Sequence, residues 1–429
     1  MITENLVCSF LGYLATKRCI ESEQIRRMFL RAGLKGIDLN KHTTRRDEKT
    51  MRLKRPVRGV EIPESQGVVA AAIYVLVLSA FIPFAVTGFS FDTSSKNLEY
   101  SIAIQMAEYL AAILSVSLAA FMGFADDVLD LRWRHKIPLP LLANVPLLLV
   151  YRASGGLSGV SVPTILRSIL GVSVIELGAL FYVGLLLLSV FSTHSINILA
   201  GVNGLEVGQS VVIAISIVSL NVLQLYRTND DAEHWEAYRI NQIQSLVLML
   251  PFLGVSFALL YENWFPSRLF VGDTFAYFAG SLFIAVSVVG HFSKMAVLFL
   301  IPQALNFVYS IPQLFRWLPI PRHRMPDYDP TRDVVQASYC DAFVPKKLSK
   351  LGRVAFQILT TLRLVDVHVV NAKTGEVRVN NLTLINFVLV KLGPCREDTL
   401  CVRLLLIQAA FSVFAFGLRF SLEGCSRSP

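Results

Sequence analysis

Ala119-Ala120-Phe121-Met122-Gly123-Phe124-Ala125-Asp126-Asp127-Val128-Leu129-Asp130-Leu131-Arg132-Trp133-Arg134-His135-Lys136 is a stretch in which an apolar run opens abruptly into charge. Three carboxylates fall within five residues, and Arg132, Arg134, His135 and Lys136 follow at once. At the end of a membrane span such charge is expensive unless something pairs with it, so it marks a functional site by default. Carboxylates beside cations suit a divalent metal and a phosphate. If the helix continues through the segment, Asp126 and Asp130 share one face at a spacing of four. The plainer reading is a helix end whose acids pair with Arg132 and Arg134.

Composition makes the preceding run a membrane span. Of 429 residues, 54% are hydrophobic and only 17% charged, against about 25% charged in soluble proteins. A spanning helix needs about 20 mostly apolar residues. Nine segments qualify: roughly 67–89, 101–124, 137–151 (short), 174–193, 204–226, 243–262, 269–290, 294–317 and 400–418. A weaker tenth, 5–20, is either a truncated span or an interfacial helix. Nothing at the N-terminus resembles a cleavable signal, because Lys17-Arg18 follows the apolar stretch rather than preceding it. The six cysteines form no CxxC pair and read as free thiols, with neither a disulfide framework nor a zinc site.

The expected fold is therefore an all-α polytopic membrane protein of about ten transmembrane helices, with a small α/β cytosolic insert between the last two. Residues 1–318 would hold spans 1–9 with the catalytic loops, 319–399 the insert, and 400–429 the last span and tail. Ten spans put both termini on one side. The loops 21–66, 125–136, 194–203, 263–268 and 318–399 then share a face and carry nearly all the loop Lys and Arg, including the basic tract from Arg45 to Arg58. The positive-inside rule makes that face cytosolic. The opposite loops hold few cations, offset by Asp230, Asp231, Glu233 and Glu236. In the insert, Val365–Val370 and Glu376–Asn380 alternate around Asn371-Ala372-Lys373-Thr374-Gly375, a hairpin signal.

Four further segments on that face carry chemistry. Between spans 5 and 6, the stretch 192–206 holds Asn197, Asn203, Gly201, Gly204 and Glu206. Glycines let a backbone approach a ligand, and amide carbonyls suit a hard cation or a base edge. Asp273, in Phe270-Val271-Gly272-Asp273-Thr274, is either a ligand or a helix cap. Pro321-Arg322-His323-Arg324-Met325-Pro326 offers planar forks to phosphate between fixing prolines; the alternative is a basic patch meeting anionic lipid. Ile62-Pro63-Glu64-Ser65-Gln66-Gly67 says little by itself. Carboxylates, amides, a Lys and two Arg gathered on one face are equipment for Mg²⁺-dependent chemistry on a diphosphate.

FADDVLDLRWRHK (124–136), INILAGVNGLEVGQS (196–210), FVGDT (270–274), HFSK (291–294), PRHRMP (321–326) and NNLTLINFVLVKLGP (380–394) occur here in a fixed order. As a set they resemble the eukaryotic UDP-N-acetylglucosamine–dolichyl-phosphate N-acetylglucosaminephosphotransferases, the dolichol branch of the polyprenyl-phosphate hexose-1-phosphate transferases (glycosyltransferase family 4). The resemblance runs from about Asp38 to Arg419. It implies an endoplasmic reticulum membrane protein, with its active site facing the cytosol, that converts UDP-GlcNAc and dolichyl phosphate into GlcNAc-diphosphate-dolichol and UMP. This is the first step of lipid-linked oligosaccharide synthesis for N-glycosylation and a target of tunicamycin. The resemblance further implies Mg²⁺ held by Asn197 and Asp273, and phosphates held by Lys136 and Arg322. Asp126 and Asp127 would lie near the acceptor phosphate, as catalytic residues with Lys136. Phe270 would stack on uracil and Asn203 bond its edge, with Gln66 and Leu205 close by, and Trp133, His323 and Arg324 would read the N-acetyl sugar. The partners implied are the two substrates and the lipid bilayer. A homodimer is compatible with this reading and a nucleic-acid partner is not expected.

Three features depart from the pattern. Asp130 stands where these relatives usually have Asn, the 41–62 loop is longer and more basic, and the first span is poor. The sequence is also compatible with a two-step route with Asp126 or Asp127 as nucleophile, with another UDP-sugar or an undecaprenyl acceptor, and with a polytopic transporter.

Overall fold

The structure, a computed structural model, describes residues 2–38, 61–88, 98–156, 158–162, 167, 171–226, 232–321 and 325–424. The basic tract from Arg45 to Arg58, the segment 322–324, Asp230, Asp231 and Cys425 lie outside the described residues. Cys8, Cys19, Cys340, Cys395 and Cys401 are free thiols.

Long apolar runs become helices because a chain surrounded by lipid must satisfy its backbone polar groups within each segment. Helices α1 (Ile2–Glu21) and α2 (Glu23–Arg31) open the chain. They are followed by α3 (Gly67–Gly88), α4 (Leu98–Leu129), the single turn α5 (Trp133–Lys136) and α6 (Leu139–Ala153). Next come α7 (Ala179–Ile198), α8 (Leu205–Leu225), α9 (Ala232–Asn263) and α10 (Gly272–Val289). Among the described residues seven helices are long and apolar enough to cross a membrane: α3, α4, α7, α8, α9, α10 and the last helix, Glu397–Gly424. An eighth crossing is available from α11 (Ser293–Phe299) and α12 (Ile301–Leu314), which meet at 59°. The structure thus defines a mostly helical polytopic membrane protein. The segments expected as spans at 5–20 and 137–151 are both helical; α6 is short at 15 residues, and α1 is less apolar than the other spans.

α10 is the central strut. Of its residues 89% are buried, as a helix apolar on every side must be when other helices surround it. It packs against α4, α7, α3 and α9. Phe275, Phe278 and Phe283 interlock with Tyr74 of α3 and Phe252 of α9, with ring centroids 5.0–6.2 Å apart. The N-terminus of α10, carrying Asp273, is therefore set on a rigid element.

Between α12 and the last helix lies a unit of short hairpins and helices. β5 (Asp327–Asp329) pairs with β6 (Val334–Gln336) and β7 (Val367–Asn371) with β8 (Glu376–Val379), both antiparallel. Helices α13 (Lys350–Thr361) and α14 (Leu384–Leu392) complete it, followed by α15 (Glu397–Gly424). Earlier in the chain, β1 (Lys35–Ile37) pairs antiparallel with β2 (Glu61–Pro63). β3 (Gly159–Ser161) pairs with β4 (Val174–Glu176).

One expectation about the opening stretch needs correction. α4 continues past Phe124 to Leu129 and stops there, with Asp130 in the left-handed region at φ 46°. Asp130 therefore does not share a helix face with Asp126. Asn and Asp tolerate this conformation better than other residues with a side chain, which explains an Asn or Asp as the terminator.

Candidate active site

Asp126 and Asp127 occupy the last turn of α4, and Asp273 and Thr274 the first turn of α10. Gly272 precedes them at φ 72°. A Cβ at Gly272 would stand 2.8 Å from the Ser65 Cα and run into the Asp127 carboxylate, so only glycine fits. Across this close approach Asp127 accepts hydrogen bonds from the backbone N–H of Asp273 (2.6 Å), the N–H of Thr274 (3.2 Å) and the Thr274 hydroxyl (2.6 Å). Asp127 thus caps α10 from another helix. Its charge meets the positive end of the helix dipole and satisfies donors that a helix start leaves unpaired.

Asp126 faces the other way, and its carboxylate is fully buried. Oδ1 accepts from Lys136 Nζ at 3.0 Å and the Leu131 N–H at 3.2 Å, and Oδ2 from the Tyr277 hydroxyl at 3.3 Å. Lys136 also reaches Asp273 Oδ2 at 3.0 Å. Asn197, in the last turn of α7, donates from Nδ2 to Asp273 Oδ1. Asp273 is thus the shared member of a cluster drawn from α4, α5, α7 and α10. Burial pulls the Lys136 pKa down, but its hydrogen bonds to Asp126 and Asp273, and their charges, outweigh it, so it lies above the ordinary lysine value. Lys136 is a fixed cation.

Asp273 also lines a cleft of about 280 Å³, together with Asn197, Gly201, Asn203, Glu206, Phe270 and Glu64. Phe270 is held by its backbone: its N–H donates to the Pro63 carbonyl (2.8 Å), and its carbonyl accepts from the Gln66 N–H (3.0 Å). Gly36 backs its ring, where a Cβ would come within 2.8 Å. Asn203 is clamped from two distant parts of the chain. Its N–H donates to Glu397 Oε1 at 2.7 Å and its Nδ2 to Asp38 Oδ2 at 2.6 Å. Nδ2 has a second hydrogen beyond the one given to Asp38, so Asn203 can offer a ligand its side-chain carbonyl and an N–H. Glu64 has a raised pKa, first from burial and then from the charges of Asp127 and Asp273.

The expected site residues therefore divide. Asp126, Asp127, Lys136, Asn197 and Asp273 form one bonded cluster, and Asn197, Asp273, Asn203 and Phe270 share the cleft. Gln66 is buried, with its amide turned onto the Glu64 carbonyl (3.3 Å). Leu205 packs into a small core with Leu199 and Val202. Trp133 is half exposed, 5.5 Å from the His194 ring. Arg322, His323 and Arg324 lie outside the described residues, although the adjoining Met325 lines the cleft and packs on Gly201. Sequence reasoning did not single out Asp38, Tyr277 or Glu397. Only Tyr277 had a local signal, its position four residues beyond Asp273 on the same helix face.

Among the described residues no group of three His, Cys, Asp or Glu is disposed to hold a metal. One carboxylate and one amide meet at Asp273 and Asn197. In this arrangement Asn197 turns Nδ2 toward Asp273; with the amide rotated so that its carbonyl faces the same space, the two would offer the hard oxygens that suit Mg²⁺, which commonly uses one or two protein ligands and lets substrate phosphates and water complete its shell.

A carboxylate–lysine cluster at the ends of apolar helices, opening into a cleft lined by an aromatic ring and amides, is an arrangement that a polytopic transferase can use, and similarity to known proteins points to the same class. The model of the family described as glycosyl transferase family 4 matches residues 109–291, which include Asp126, Lys136, Asn197 and Asp273. A UDP-N-acetylglucosamine–dolichyl-phosphate N-acetylglucosaminephosphotransferase of Schizosaccharomyces pombe is 36% identical, over 97% of this chain and 92% of its own length. Proteins of the same description are 38% identical in Dictyostelium discoideum (98% of this chain, 89% of the relative) and 38% in Saccharomyces cerevisiae (94% and 88%). The chain belongs to glycosyl transferase family 4 and, within it, to the UDP-N-acetylglucosamine–dolichyl-phosphate N-acetylglucosaminephosphotransferases.

Proposed function

We propose that this protein transfers GlcNAc-1-phosphate from UDP-GlcNAc to dolichyl phosphate, releasing UMP, at the cytosolic face of the endoplasmic reticulum membrane. The observation that carries the reading is the double role of Asp273, which belongs both to the Asp126–Lys136 cluster and to the cleft bearing Phe270 and Asn203. A nucleoside diphosphate with its base at Phe270 and Asn203 would extend its phosphates toward Asp273 and Lys136. The uracil face would stack on Phe270, and the Asn203 carbonyl would accept from the base N3–H. Trp133, half exposed beside His194, would face the sugar end, and Arg322, His323 and Arg324, which lie outside the described residues, are proposed to read the N-acetyl sugar.

An oxygen of the dolichyl phosphate attacks the sugar-bearing phosphorus of the donor, and the bond to the bridging oxygen breaks to release UMP. One phosphoanhydride replaces another, so the protein needs to supply only position and charge. Lys136 stays protonated and offsets charge on the transferring group. Asn197 and Asp273 would hold Mg²⁺, which supplies further positive charge to the diphosphate when bound. Direct attack is supported over a two-step route by the commitments of Asp127, whose two oxygens both serve the start of α10, and by the burial of Asp126.

We also read α1 and α6 as crossings, for ten in all. α1 exposes Leu6, Val7, Phe10 and Leu11, and α6 is wedged between α4 and α7. The test is incubation of purified protein with UDP-GlcNAc, dolichyl phosphate and Mg²⁺, scoring UMP, the effect of chelation and sensitivity to tunicamycin. UDP-GalNAc and undecaprenyl phosphate serve as competitors. Substrate uptake into vesicles without UMP release would overturn the reading.

A further inference from the structure

α13 carries two apolar faces, and the protein core uses only one. Leu359 is buried, and Phe356 and the preceding Leu348 pack with it around Leu318 and Leu382. On the neighbouring face Leu351, Val354 and Ile358, with Leu362 just beyond the helix end, are 58%, 54%, 52% and 61% exposed. At roughly 100° per residue these four fall on one continuous stripe. Arg353, Gln357 and Thr360 occupy the opposite side.

Two observations say what covers the stripe. First, the chain from 342 to 365 contains Lys346, Lys347, Lys350, Arg353 and Arg363 and no Asp or Glu. Second, the helix sits at the end of a membrane crossing. Gly352 packs directly on the Trp317 carbonyl, where no Cβ could fit, and Trp317 follows α12 by three residues. There Phe315 and Ile320 are also exposed, so the bare apolar surface of α13 continues that of the span. An apolar stripe flanked by cations and free of acids is the pattern of a helix lying in the interface of an anionic leaflet.

We propose that α13 is an interfacial helix that docks the 325–392 unit onto the membrane, its Leu351–Leu362 stripe inserted at the level of the headgroups and its cations on anionic lipid. The unit is then held against the bilayer as well as tethered by the spans on either side.

The test uses the full chain in phosphatidylcholine vesicles with and without phosphatidylserine. The variants Ile358→p-benzoylphenylalanine and, on the opposite face, Thr360→p-benzoylphenylalanine are irradiated, and adducts are read by mass spectrometry. Position 358 is expected to capture phospholipid several-fold more than position 360. Its yield should rise with phosphatidylserine and fall again in high salt. Equal lipid capture at the two positions, or capture of a second protein copy from position 358, would overturn the proposal. A yield indifferent to phosphatidylserine would overturn its electrostatic part. Transfer activity of both variants, neither at the active site, reports that they are folded.

Discussion

Replacing Asp127 by Asn separates a positioning role from a chemical one. The side chain keeps its shape but loses its charge, and one of its two oxygens becomes an NH₂ group. Both oxygens now accept, from two N–H groups and a hydroxyl, so in Asp127→Asn one amide nitrogen must face a donor. A buried donor left unmatched costs ~1–3 kcal/mol. Loss of a charge at a helix N-terminus costs ~0.3–1 kcal/mol, or up to ~2 where partly buried. The sum is about 1–5 kcal/mol, which should appear as a lower Tm. Even if all of it were lost from the transition state, transfer would slow by only about 10- to 5,000-fold. UMP release with dolichyl phosphate as acceptor measures the rate, a Mg²⁺ titration measures displacement of Asp273, and thermal unfolding in detergent measures the cap. The expected result is a destabilised protein that still turns over and needs more Mg²⁺. An unchanged Tm with a loss nearer the ~10⁶-fold of a deleted nucleophile would refute the reasoning.

Lys136→Met leaves the buried Asp126 carboxylate without its cation, at a cost of ~3–5 kcal/mol. Tm should fall sharply and recover in part in the Asp126→Asn/Lys136→Met double variant, while transfer is lost in both. Gly36→Ala places a methyl within 2.8 Å of the Phe270 ring. Base stacking is worth ~1–3 kcal/mol, so KM for UDP-GlcNAc should rise about 10-fold with kcat little changed, and steady-state kinetics will show whether it does. Asn381 heads a glycosylation sequon but is buried, with Nδ2 donating to Ser338 Oγ at 2.6 Å. Intact-mass analysis of protein from a glycosylating host should find it unmodified.

The helical framework was legible because lipid leaves so few choices. A run of apolar residues long enough to cross must be a helix, and every run identified from 67 onward contains one. Ends were less legible. Asp126 and Asp127 carry helix past the apolar run because their carboxylates find partners on other elements, and Asn197 lies in the last turn of a helix. Asn197 stood out only as one amide in a polar stretch and Asp273 as a ligand or a helix cap; the resemblance paired them, and they meet in space. The Ile62–Gly67 segment said little alone, yet it brings Glu64 to the cleft and its backbone holds Phe270. Its meaning depends on β1 and on a loop 200 residues away. The same holds for Asp38 and Glu397, which grip Asn203 from the two ends of the chain. No local pattern announces such a contact, because separation in sequence says nothing about which acid will reach an amide.

The buried α10 has a consequence for how the enzyme can diversify. Its Asp273 is bolted to the part of the molecule with the least room to give, whereas Gly201 and Met325 stand on connecting segments around the cleft. Substitutions in those segments can retune which donor is admitted without disturbing the reacting groups. Substitutions along α10 would reach the chemistry and the packing together. Substrate range is therefore free to drift at the rim while the reaction at the floor stays constant.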